Sequence, residues 1–172
     1  MFIKTVQIKN FRSIASEKLE MNDLIVLIGN NDAGKSNYIK ALNLFFNGQT
    51  DFRTNFNFET DFCRTAKVGK QKAKEIVITI EFIIPDTFKE KDSIIWQKVW
   101  RAEGEVSEKS RITYKDGKEA NNPRSRAVNW IKHLKFRYVP AIKSNEYFQE
   151  LLGDVNDTLV DSVEKDIKAA AT

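Results

Sequence analysis

Residues 29–36 read Gly29-Asn30-Asn31-Asp32-Ala33-Gly34-Lys35-Ser36, placing two glycines, a lysine and a hydroxyl at the spacing G-x-x-x-x-G-K-[ST] of the Walker A pattern. That spacing suits a chain of phosphates. A loop wrapped over the start of a helix aims successive backbone N–H groups inward, where the helix dipole already favours negative charge. Gly29 and Gly34 let the backbone turn and approach without a Cβ in the way. Lys35 would neutralise the β- and γ-phosphate oxygens as a point charge, and the Ser36 hydroxyl would hold Mg²⁺. Asn30, Asn31, Asp32 and Ala33 form the body of the loop, and Asn37 follows it directly. The expected ligand is a nucleoside triphosphate, ATP first among them, with Mg²⁺. The plainer alternative is a glycine turn with Lys35 and Ser36 as ordinary first-turn residues. A lysine at a helix N-terminus is unfavourable unless an anion sits there, which argues against it.

The motif needs a strand before it and a helix after it, and the flanking residues supply both patterns. Residues 24–28, Leu-Ile-Val-Leu-Ile, are apolar on both faces, as in a central strand covered on two sides. After Lys35, the apolar residues Ile39, Leu42, Phe45 and Phe46 recur at helical spacing, and Gly48 stands where a left-handed cap would end the helix. Upstream, alternation around Val6 and Ile8 predicts a half-buried strand towards Phe11, with a hairpin partner at residues 18–21.

Further along, residues 50–74 carry Phe52, Phe56, Phe58 and Phe62 without a sustained period and read as an extended, partly ordered loop. Strands are expected over residues 75–84 and 94–101, and a hairpin around the Asp116-Gly117 turn. Ala127, Val128, Trp130, Ile131 and Leu134 predict a short amphipathic helix, followed by a buried strand over residues 136–139 that ends at Pro140. Residues 145–171 read as helical with an interruption near Gly153.

Composition narrows the classes. A chain of 172 residues, 41% hydrophobic, suffices for one compact domain. Its longest apolar stretch is far too short for a signal peptide core or a membrane span, so a soluble, cytoplasmic protein is expected, with no membrane partner. One cysteine, Cys63, and one histidine, His133, offer neither an internal disulfide nor a zinc cluster, and both read as structural. A net charge of +4 is compatible with nucleic-acid contact without demanding it. Lys67, Lys70, Lys72 and Lys74 form one basic run, and Arg124, Arg126, Lys132, Lys135 and Arg137 a second. Either could track a DNA backbone, although solvated faces carry lysines anyway. The phenylalanines of the long loop, with Trp96, Trp100 and Trp130, fit packing better than base stacking.

The opening Ile8-Lys9-Asn10-Phe11-Arg12-Ser13-Ile14, followed by the strand and Gly-Asn-Asn-Asp-Ala-Gly-Lys-Ser-Asn, resembles the ABC-type ATPase heads of the RecF and SMC group. Within that group Asn31-Asp32-Ala33, Ala41-Leu42 and Arg137-Tyr138-Val139-Pro140-Ala141 most resemble the OLD (overcoming lysogenisation defect) family of ATPases and their anti-phage relatives. The resemblance covers residues 1–48 closely and 75–143 loosely. It implies an α/β fold, the N-terminal lobe of a P-loop ATPase head, with a mixed sheet, a P-loop helix and an antiparallel hairpin region. Residues 1–143 would form that lobe, and residues 144–172 a helical segment leading towards the rest of the ATPase. The resemblance further implies that Arg12 lies near the phosphates as an in-cis positive charge and that Asn31 shapes the loop. The alternative for Arg12 is a surface residue in a turn. As partners it implies a homodimer or higher oligomer formed through the heads, a nuclease or other effector, and DNA.

Against the family pattern, the expected place of the Q-loop holds Ala141-Ile142-Lys143, with no glutamine before Gln149. No strand ends in the Asp-Glu of a Walker B motif. The most similar run, residues 76–81, lacks the aspartate before Glu81. Without those carboxylates, metal and attacking water lack their usual ligands, so ATPase activity would require groups outside these residues. A non-hydrolysing ATP-binding assembly subunit is therefore a second reading. A self-sufficient small kinase or GTPase is a third, weakened by the absence of an Asn-Lys-x-Asp motif and of an arginine lid.

Overall fold

The computed structural model describes residues 3–30, 34–67, 69, 73–85, 93–103, 105–120, 125–141 and 143–170. The chain divides into two units, residues 1–137 and 138–172.

The first unit is built on strand β1 (Ile3–Phe11), whose alternating burial puts Val6, Ile8 and Phe11 on one face. A two-residue turn, Arg12-Ser13, returns the chain as β2 (Ile14–Glu20), with Phe11 opposite Ile14. On the other edge of β1 lies β5 (Lys74–Phe82), followed outward by β6 (Ile94–Glu103) and β7 (Glu105–Tyr114). Every ladder in this five-stranded sheet is antiparallel. Ile76, Ile78, Ile80 and Phe82 of β5 are fully buried along one face. At about 1.5–3 kcal/mol each, these side chains make β5 the main contributor to the core.

Helix α1 (Lys35–Asn47) lays Ala41, Leu44 and Phe45 into the same core. Phe45 meets Trp96 edge to face at 5.0 Å between centroids, so this tryptophan is a packing residue, as its sequence context suggests. Gly48 ends the helix at φ 72°, its N–H reaching Leu44 O. The short helix α3 (Arg126–Lys132), capped by Ser125 Oγ on Val128 N, adds Ala127, Val128 and Ile131. His133 closes it with Nδ1 on Asn129 O at 2.6 Å, and Cys63 is buried, so both residues serve structure.

Four sequence expectations are corrected. Residues 50–74 are more ordered than a loop. They contain the small hairpin β3 (Gln49–Asp51) and β4 (Thr54–Asn55) and one turn of helix, α2 (Phe58–Asp61), capped by Asn57. Stacked rings of Phe58 and Phe62, with Phe56 against Trp100, pin this segment to the core. Aromatic anchoring of this kind has no period to read. Residues 24–28 join no ladder among the described residues: Leu24, Val26 and Ile28 are 80%, 68% and 90% exposed. A strand needs a neighbour for its N–H and C=O groups, and both edges of β1 are taken by β2 and β5. Residues 136–139 likewise form no strand, and Val139 is exposed. Finally, the helix of the second unit, α4 (Asn145–Ala170), runs through Gly153 without interruption. An isolated glycine costs a helix about 1 kcal/mol, too little to break one of this length.

In that second unit, Ser144 Oγ accepts from Tyr147 N at the start of α4. Phe148, Leu152, Val155 and Leu159 are exposed at four- and three-residue intervals along it. No helix among the described residues is long and apolar enough to cross a membrane.

Candidate functional site: a phosphate loop braced by a strong turn

The residues of the Walker A pattern lie at the start of α1. Gly34 adopts φ 83°, which a side chain would resist, and no side chain caps the helix or places an acidic group in its first turn. Asn37 N already donates to Gly34 O at 2.9 Å, and the helix dipole favours an anion at this terminus. Lys35 Nζ donates to Gly29 O at 2.7 Å and Asn30 O at 2.6 Å, so the ammonium folds back onto the first two residues of the loop. Ser36 is exposed, as a hydroxyl reaching a metal would need to be. Asn31, Asp32 and Ala33 lie outside the described residues.

The β1–β2 turn seats on this loop. Ser13 Oγ accepts from Asn37 Nδ2 at 2.9 Å, and a Cβ built on Gly34 would stand 2.2 Å from that same oxygen. Gly34 is thus required twice, by its backbone angle and by the close approach of Ser13.

Next to Ser13, Arg12 holds φ 50°, an unusual angle for a residue with a side chain. The conformation is held from the last residue of α2 and the segment just after it. Arg12 N donates to Asp61 O at 2.7 Å, Arg12 Nε to Asp61 Oδ1 at 2.8 Å, and Cys63 N to Asn10 O at 2.9 Å. The guanidinium also lies over the Phe11 ring, 5.5 Å from its centroid. Arg12 is therefore a part-exposed residue of a turn, held in place by Asp61 and next to Ser13, which approaches Gly34. Ser13 and Asp61 were not legible as site residues. Ser13 is one of many serines, and Asp61 lies in a segment whose pattern signals nothing.

Glu81 is placed far from this site. It sits opposite Thr5, accepting from Lys4 Nζ at 3.0 Å, and Phe11 lies six positions further along β1, about 20 Å at strand spacing. Burial pushes its carboxyl up, but hydrogen bonds from Lys4, Ser93 and Thr5 and the charge of Lys4 outweigh this and hold it below the usual glutamate range. It is an ionised structural group.

Beneath the loop, a cavity of about 350 Å³ lies between the hairpin, residues 25–27 and α1, lined by Val6, Ile8, Met21, Ile25 and Leu42. Tyr38 also lines it, and burial, reinforced by the charge of Glu17, raises its hydroxyl above the ordinary tyrosine range. Of the basic runs, Lys70, Lys72 and Arg124 lie outside the described residues. Lys74 Nζ rests 5.6 Å from the centre of the Phe62 ring, and Lys132 and Lys135 are exposed.

An uncharacterised protein of Methanocaldococcus jannaschii is 28% identical, the match covering 94% of this chain and 46% of the relative, so the chain spans about half the length of the curated relative it matches. Among solved structures, one from a study of ATP-driven dimerisation and DNA-stimulated activation of SMC ATPases is similar with a TM-score of 0.56 at 17% identity, over 95% of this chain and 99% of that one. A structure of the recombination mediator RecF with ATP overlaps with a TM-score of 0.47 at 19% identity, over 71% of this chain and 30% of that one. The fold is that of the N-terminal lobe of an SMC-type ATPase head. With residues 1–169 matching the family described as AAA ATPase domain, the chain belongs to that family.

Proposed function

We propose that this chain is the nucleotide-binding N-terminal lobe of an OLD-like ABC-type ATPase head, acting in DNA repair or anti-phage defence. ATP-dependent dimerisation of the heads would control a nuclease or other effector, with DNA as trigger or substrate. The observation that supports the reading is Lys35 Nζ folded onto the carbonyls of Gly29 and Asn30 at the start of a helix whose N-cap, Gly34, supplies no side-chain cap. Gly29, Asn30 and the loop residues Asn31, Asp32 and Ala33 would wrap the phosphates. Gly34 would bring the backbone close, Lys35 would neutralise the β- and γ-oxygens, and Ser36 would hold Mg²⁺. Arg12, braced beside Ser13, would add a second positive charge to the phosphates.

Residues 1–143 are taken as the lobe and 144–172 as the segment leading to the rest of the ATPase. The exposed face of Leu24, Val26 and Ile28 fits a strand that the remainder of a head would cover. SMC ATPases, whose heads share this fold, dimerise in an ATP-driven way and are activated by DNA, which motivates the same expectation here.

The test is thermal. Saturation at a hundred times the dissociation constant adds about 2.7 kcal/mol, which for a chain of this size raises Tm by roughly 5–10 °C. ATP with Mg²⁺ should produce that rise and Lys35→Ala should remove it. An unchanged melting curve at millimolar ATP would sink the reading.

A second reading, a non-hydrolysing ATP-binding assembly subunit, draws support from Glu81, whose carboxylate is engaged far from the loop. Turnover by a complex of the whole protein distinguishes the two.

A further inference from the structure

We infer that Asp61 is a positioning residue for the phosphate site: it sets the direction in which Arg12 presents its guanidinium to the nucleotide. The inference rests on the reading that Arg12 faces the phosphates.

Asp61 is 2% exposed, and every polar group of its backbone and side chain with a recorded partner serves one arrangement. Its Oδ1 accepts from Arg12 Nε at 2.8 Å, its Oδ2 accepts from Asn57 N at 3.0 Å, and its carbonyl accepts from Arg12 N at 2.7 Å. Its own N–H donates to Asn57 O at 2.9 Å. Asn57 in turn caps α2 through Glu59 N and Thr60 N, so the single turn of helix holds the carboxylate rigidly.

Arg12 is gripped at both ends by this one residue. The main-chain bond stabilises the φ 50° backbone, a strained conformation that persists only where surroundings over-determine it. The side-chain bond uses Nε, the inner nitrogen of the planar fork, and the Phe11 ring lies against the guanidinium. A guanidinium held by Nε presents its terminal nitrogens in a defined direction, which a lysine in its place could not do. The adjoining residue, Ser13, contacts Gly34 and Asn37 of the phosphate loop, so the direction set by Asp61 is referenced to that loop.

A purely structural ion pair would contribute to folding alone; a positioning residue also couples to nucleotide affinity through Arg12. The experiment measures ATP·Mg²⁺ affinity by titration calorimetry for the full chain and for Arg12→Ala, Asp61→Asn, the double variant and Arg12→Lys, with Lys35→Ala as control. Arg12→Ala is expected to weaken binding about tenfold, the scale of one hydrogen bond to a charged group. Asp61→Asn should weaken it severalfold with Arg12 present and not at all in the Arg12→Ala background. Arg12→Lys, which keeps the charge and leaves Asp61 intact, should weaken binding nearly as much as Arg12→Ala.

If Lys35→Ala abolishes binding but Arg12→Ala leaves it unchanged, Arg12 does not face the phosphates, and the inference falls while nucleotide binding stands. If Arg12→Ala weakens binding but Asp61→Asn lowers only Tm, the Arg12 reading stands and the positioning role is overturned. Should Asp61→Asn fail to fold, Arg12→Lys decides: full affinity in that variant means charge alone suffices and overturns the inference.

Discussion

The Asn37 side-chain amide donates to Ser13 Oγ at 2.9 Å, joining the first turn of the P-loop helix to the turn between the first two strands. Ser13 stands so close to Gly34 that the turn and the phosphate loop are one structural unit. Gly34→Ala should therefore fail in two ways, by backbone strain of about 1–2 kcal/mol and by collision with Ser13. It should lower Tm and abolish the ATP-induced rise. Adding Ser13→Gly relieves only the collision, so the double variant should recover part of the Tm loss. Equal melting of Gly34→Ala and the native chain would contradict the geometry.

Removing the hydroxyl alone is milder. Ser13→Ala deletes the bond from Asn37, a loss of about 0.5–1.5 kcal/mol. Denaturant titration should show a lower midpoint at unchanged slope.

The Lys4–Glu81 pair predicts acid sensitivity. Glu81 is held below its ordinary value in the fold, so the unfolded chain binds its proton more readily than the native one. Its contribution is present above the unfolded pKa and is lost as pH falls through the depressed folded value. Tm should thus decline from about pH 5 downward, and Lys4→Ala should flatten that decline. Because Lys4 is nearly half exposed, the change at neutral pH should be below about 1 kcal/mol. An identical acid limb in the two proteins would rule out this pair as a contributor.

Gly153 lies within α4, and a Cβ there would meet nothing within 4 Å. Gly153→Ala should stabilise the helix by about 0.5–1 kcal/mol, visible as greater helical ellipticity on warming. A loss of helicity would show that the glycine is needed for a close approach.

Core and exposed apolar residues should respond oppositely. Ile78→Ala, at a fully buried position of β5, should cost about 2–5 kcal/mol. Val26→Thr, at a position 68% exposed, should change Tm in this chain by less than the scatter of surface substitutions, about 0.5 kcal/mol. Comparable losses from both would place residues 24–28 inside a sheet of this chain.

The sequence by itself determined helix α1 and its glycine stop, because these depend on local requirements: backbone angles that favour glycine and a 3.6-residue period. It also determined β1, through alternation around Val6 and Ile8, and β5, through its β-branched residues. Tertiary structure decided what those local rules do not encode. Apolarity at residues 24–28 states a preference for burial but names no partner strand, and the sheet has none for it beside β1. Only folding brings Asp61, from a segment without periodicity, against Arg12, 49 positions earlier. Ser13 becomes a site residue for the same reason: contact with Gly34 is a property of two turns meeting in space, which no spacing along the chain records.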